Sequence, residues 1–184
     1  MSAGHGHVDP SNRKVALLIS VLALALAFSE TLGKSAQTGA LSYNIEASNL
    51  WAFFQAKTIR QTTMRTAAEQ LDAQFPDQAP EAVKQQVQKW KDTADRYQTE
   101  PDTQEGRKEL AARAKSAEQK RDVSLAAYHH YELASAAMQI AIVLASAEII
   151  TGVVALTWIA GGLGLLGIAF CVIGFWFPSA VHLF

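Results

Sequence analysis

The chain has 184 residues, 49% of them hydrophobic, and a formal charge of −1, which is the length of one or two domains with no electrostatic pull toward nucleic acid. The composition is segmented: apolar stretches at 15–28 and 133–184 flank a polar middle, and between Lys34 and Glu132 the 14 Lys and Arg are matched by 14 Asp and Glu. A neutral, mixed middle excludes bulk phosphate binding, and the single cysteine, Cys171, can close no intramolecular disulfide.

Residues 1–12 read as a flexible polar tail, in which His5 and His7 alone make too weak a pair to predict a metal site. Arg13-Lys14 and the apolar run to Phe28 are followed by no clean small-x-small cleavage site, so residues 13–33 are expected to form an uncleaved transmembrane helix rather than a signal peptide. Residues 34–132 are expected to form a helical stalk. Its first helix, about 34–75, carries Leu50, Phe54, Met64, Ala68, Leu71 and Phe75 largely at three- and four-residue spacings, and Gly39 weakens it without ending it. Pro76 to Pro80 make a turn.

The second stalk helix, about 80–98, repeats Val83, Val87, Trp90, Ala94 and Tyr97 in a coiled-coil-like 4-3-4-3 seam. A turn at Glu100-Pro101 and a capping box from Asp102 to Glu105 open a third helix, about 103–132, whose small-residue stripe leads into the membrane. The rising and descending helices run antiparallel but differ in reach, with the 80–98 helix packed across or beside the tip.

From Leu133 to Phe184 the only formal charge is Glu148. These residues are expected to form a transmembrane hairpin, about 133–159 and 163–182, turning at Gly161-Gly162 with Glu148 near the middle of the first arm. The fold class is therefore all-α: three transmembrane helices and an extramembrane antiparallel helical stalk. No strand pattern occurs.

Glu148 is the sharpest candidate. A carboxylate at mid-bilayer costs roughly 2.5–3.5 kcal/mol, so it needs a bridge to Ser146, Thr151, Gln139 or a neighbouring subunit, or it binds protons or ions. Gly162-Leu-Gly-Leu-Leu-Gly167 matches the dinucleotide fingerprint in letters only; Gly164, Gly167 and Gly174 are read as close-packing positions between membrane helices. Trp51, Phe53 and Phe54 form a dense aromatic cluster, read as stalk core or an interface. Trp158, Trp176 and Phe177 suit membrane boundaries. His129 and His130 point about 100° apart and close no site from one chain. With no nucleophile–base pair, P-loop or metal motif, neither an enzyme nor a cofactor is expected.

The helix running into Leu32-Gly33-Lys34-Ser35-Ala36, the segment Ile45-Glu46-Ala47-Ser48-Asn49-Leu50-Trp51-Ala52-Phe53-Phe54-Gln55-Ala56-Lys57 and the closing hairpin resemble an uncharacterised bacterial membrane family, domain of unknown function forty-three thirty-seven. The resemblance covers nearly the whole chain and implies a helical inner-membrane protein, with no activity or site to carry over.

The reading is a non-catalytic, homo-oligomeric scaffold or accessory subunit, in contact with membrane lipid and with membrane-protein partners. Two alternatives stand beside it: an oligomeric ion or proton channel using Glu148, and a membrane-tethered module binding a partner through Trp51 to Phe54. Arg13-Lys14 favour a cytoplasmic N-terminus and periplasmic stalk, whereas Lys115, Lys120 and Arg121 oppose it; the first helix carries more weight.

Overall fold

A computed structural model describes residues 10–75 and 79–180, and among them the chain is four helices with no strand: α1 Pro10–Gln74, α2 Glu81–Gln98, α3 Arg107–Thr151 and α4 Ala155–Trp176. The tail with His5 and His7, the core of the Pro76 turn and the last residues of the expected final helix lie outside the described residues. Contacts divide the chain into unit 1, residues 1–40 with 122–184, and unit 2, residues 41–121.

α1 is one helix of 65 residues. No proline follows Pro10 before Pro76, and Gly33 and Gly39 each cost about 1 kcal/mol of helix propensity, too little to break a helix packed along its length.

Unit 2 is an antiparallel helical pair whose second strand is interrupted. Asp72 meets Lys91, Arg65 meets Asp95 and Gln61 meets Ala94, so α2 runs back along the far part of α1. Thr58 then meets Arg107, Trp51 meets Glu118 and Asn44 meets Arg121, so α3 continues along the nearer part. α2 therefore packs in line with α3 rather than across a tip. The mismatch in reach disappears, because the 18 residues of α2 supply what the start of α3 lacks. Every member of the predicted α2 seam is withdrawn from solvent: Val87 and Ala94 are buried, and Val83, Trp90 and Tyr97 are half-buried. The core joins Ala47 and Leu50 of α1 to Leu110, Ala114 and Ala117 of α3, with Trp51, Phe53 and Phe54 packed against it.

The expected capping box does not form. α3 begins at Arg107, the Gly106 carbonyl takes its first helical bond from Leu110 N–H at 2.8 Å, and Glu109 reaches back to accept the Glu100 backbone N–H of the link at 3.2 Å. Glu105 turns instead toward Lys57. Gly106 lies so close to Glu109 and to the Glu100 backbone that a Cβ there would overlap both.

Unit 1 packs α1, α3 and α4 with small residues inside. Ala134, Ala141, Ala145 and Ala160 are fully buried, and Gly164, Gly167 and Gly174 line the inner face of α4. Large apolar side chains point outward, among them Leu24, Phe28, Val143, Ile150, Trp158 and Leu165, each at least 60% exposed. Close helix contact through small residues gains dispersion without needing water to drive it.

The break between the two closing arms falls at Gly152–Val154, not at Gly161-Gly162. Gly152 takes φ +70°, the left-handed conformation that ends a helix at little cost for a residue without Cβ, and its N–H reaches the Glu148 carbonyl at 2.8 Å. Gly161 and Gly162 are helical and face open space.

Candidate functional site

The earlier break moves Glu148. It lies one turn from the end of α3, not near the middle of an arm, and is only 4% exposed. The glycine contacts set the α3–α4 register: Gly167 packs on Met138 and Gly174 on His130. Ten residues beyond Met138 is Glu148, and ten before Gly167 is Thr157. Leu22 of α1 lies opposite Gly164, and seven residues back from each are Val15 and the same Thr157. Glu148, Thr157 and Val15 thus share one layer.

In that layer Glu148 Oε2 and Thr157 Oγ1 are both buried, and neither has a hydrogen-bond partner among the described residues. The expected bridges are absent. Ser146 donates to the Ile142 carbonyl, Thr151 to the Ala147 carbonyl and Gln139 to Glu30. The last turn of α3 carries no basic residue, so the helix end adds its negative pole to the carboxylate. The start of α4, at the same level, presents the opposite pole.

A second polar layer crosses α1 and α3 nearer the other end of unit 1. The Ser135 hydroxyl donates to Ser29 Oγ at 3.0 Å, and the fully buried Ser29 hydroxyl donates to the Tyr131 carbonyl at 3.0 Å. Above this floor opens a groove of about 310 Å³ flanked by Glu30, Lys34, Gln37 and Glu132. Sequence reading missed it, because its walls come from two segments a hundred residues apart.

His130, read from sequence only as one of two neighbouring histidines that close no site, has a setting that the reading did not foresee. It is fully buried against Gly174, its ring stacks on Phe170 at 6.2 Å, and neither ring nitrogen has a partner among the described residues. Its signal was present as periodicity: position 130 shares the inward face with Ala134, Ala137 and Ala141.

The aromatic cluster joins the unit 2 core. Trp51 and Phe54 meet edge to face at 5.4 Å, and the Trp51 indole donates to Glu118 at 2.8 Å. Beside it Lys57 is buried, with Glu100 at 3.4 Å, Glu105 at 3.8 Å and the Phe53 and Tyr97 rings over its ammonium. Arg107 ties α3 to Thr58 and Gln61 of α1 and to Gln98 of α2, over the Phe54 ring. This network is internally satisfied, which is what a structural clamp requires.

Gly164, Gly167 and Gly174 do pack against α1 or α3: a Cβ would stand 2.5 Å from Leu22, 3.0 Å from Met138 and 2.9 Å from His130 respectively. Three helices, α1, α3 and α4, are long and apolar enough to cross a membrane.

Comparison with curated proteins found no match, and comparison with solved structures found none. A family model matches residues 11–177, covering the four helices but for the first residue of α1. The chain belongs to the family described as domain of unknown function (DUF4337).

Proposed function

We propose that the protein is a non-catalytic integral membrane protein of the bacterial inner membrane, with unit 1 in the bilayer and unit 2 in water, acting as a homo-oligomeric scaffold or accessory subunit. The observation that carries the membrane reading is the inverted residue distribution of unit 1. No more than 33% of the apolar window of any of the three long helices is buried within the chain. Most of what is buried is small, alanine and glycine above all, while many large apolar side chains are bare, an arrangement that water penalises by about 25 cal/mol per Å² and lipid does not.

Aromatic placement supports a definite thickness. Trp158 and Trp176 are 80% and 65% exposed near opposite ends of α4. Eighteen residues apart at about 1.5 Å each, they are separated by about 27 Å, close to the roughly 30 Å of a hydrocarbon core. Glu148 then lies at the margin of the bilayer rather than at its centre.

Assembly is supported by unit 2. Ile45 and Ile59 lie two heptads apart on one face of α1, 53% and 67% exposed, with Leu41 60% exposed one turn before. A two-helix pair has no third helix to cover them, and a second copy would. Mass determination of the complex extracted in its native lipid tests the assembly; a multiple of the chain mass is expected, and a uniform monomer overturns it.

The unpartnered Glu148 oxygen favours one second reading, ion or proton conduction through an assembly. Proteoliposome flux that falls in Glu148→Gln supports it, and absence of flux leaves the scaffold reading in place.

A further inference from the structure

We propose that the groove between α1 and α3 in unit 1 seats the headgroup of a zwitterionic phospholipid bearing a primary ammonium. This rests on unit 1 being embedded in a bilayer. Three observations carry it: the position of the groove, its charge pattern and the apolar track below it.

The floor of the groove is built. Gly33 lets α1 come within contact of α3, since a Cβ there would sit 3.3 Å from the Tyr131 Cβ. Ser29 and Ser135 close the base through their mutual hydrogen bond. Tyr131 also touches Gly174 across the helix, which puts the groove at the level of Trp176, the bilayer margin of the proposed embedding. At about 310 Å³ its volume is at the low end for ligand pockets, roughly 300–1,000 Å³, enough for a headgroup rather than a whole lipid.

The walls carry both signs. Lys34 makes no ion pair among the described residues, and with Gln37 it offers donors to a phosphate. On α1, one turn before Lys34, Glu30 accepts from Gln139 at 3.3 Å, and across the groove on α3 Glu132 accepts from Tyr128 at 3.5 Å with His129 Nδ1 at 3.7 Å. Two carboxylates, one from each helix, offer acceptors to an ammonium that carries N–H groups. A net-anionic headgroup meets their repulsion, and a quaternary choline nitrogen has no hydrogen to donate to them. Three-to-four-residue steps from the groove along the same helices lead to Ile19 and Ile142, half-buried and apolar, where an acyl chain can lie.

The test uses the full chain purified in detergent, exchanged into an equimolar mixture of phosphatidylethanolamine, phosphatidylcholine and phosphatidylglycerol, with retained lipid identified by native mass spectrometry. Phosphatidylethanolamine is expected to be retained about fivefold over either competitor, the equivalent of one charge-assisted hydrogen bond at a half-open site. Glu30→Gln and Lys34→Ala should each abolish the preference, whereas Gln88→Ala in unit 2 should not, with helicity by circular dichroism unchanged in all three. Equal retention, preference for phosphatidylglycerol, or a preference indifferent to both groove variants overturns the site. A chain that stays dispersed and monomeric without detergent overturns the membrane reading instead, which keeps the two failures apart.

Discussion

The five glycines of α4 give a graded test of how unit 1 is held together. At Gly161 and Gly162 an added methyl meets nothing within 4 Å, so Gly→Ala keeps only the gain in helix propensity, about 1 kcal/mol. At Gly174 the methyl meets the His130 Cβ at 2.9 Å, Tyr131 Cε1 at 3.2 Å and the Ala127 carbonyl at 3.4 Å. At Gly167 it meets Met138 at 3.0 Å and the Ala134 carbonyl at 3.1 Å. Neither a carbonyl nor a Cβ can move without moving α3, so overpacking costs about 1–3 kcal/mol, and after the propensity gain both variants should lose about 0–2 kcal/mol. Gly164 is intermediate, because the atom it approaches is the far end of the flexible Leu22 side chain. Thermal unfolding in one detergent, followed by circular dichroism, should rank Gly161→Ala and Gly162→Ala above wild type, Gly164→Ala near it, and Gly167→Ala and Gly174→Ala below. If the last two match Gly161→Ala, the close α3–α4 contact is wrong.

Lys57→Met removes the cation shared by Glu100 and Glu105 in unit 2. Glu100 is part-exposed and keeps Arg96 at 3.8 Å, so the expected loss is about 2 kcal/mol, below the roughly 3–5 kcal/mol of a fully buried pair, read by thermal unfolding. Gly106→Ala should cost a similar amount, and no loss would show that the α2–α3 link relaxes freely. His130→Leu should stabilise by about 1 kcal/mol, because it removes two buried nitrogens without partners; a drop in unfolding temperature would mean that the imidazole is hydrogen-bonded.

Where a physical pattern is local, the sequence was informative. The 4-3-4-3 spacing of α2 marked five of its seven inward residues, leaving out the polar Gln86 and Thr93, and small residues at helical spacing marked the inner face of α4. The hairpin turn was misread because Gly161-Gly162 is the stronger local signal, yet a glycine pair inside a well-packed helix costs only about 2 kcal/mol, and the single Gly152 supplied the left-handed residue a turn needs. Glu148 moved with it, from the centre of an arm to its end. The headgroup groove and the buried His130 nitrogens depend on which α1 residue faces which α3 residue. That register is set across about a hundred positions, and no single window records it.

The central claim is that lipid surrounds unit 1. Single cysteines placed at Val143 and Leu165, in a Cys171→Ala background, can be spin-labelled in nanodiscs and their collisions with molecular oxygen and with a water-soluble nickel chelate compared with those of a label at Gln88. The account predicts labels at Val143 and Leu165 that meet oxygen freely and the chelate hardly at all, with the opposite balance at Gln88. Labels at Val143 and Leu165 that the chelate reaches as readily as Gln88 would contradict it.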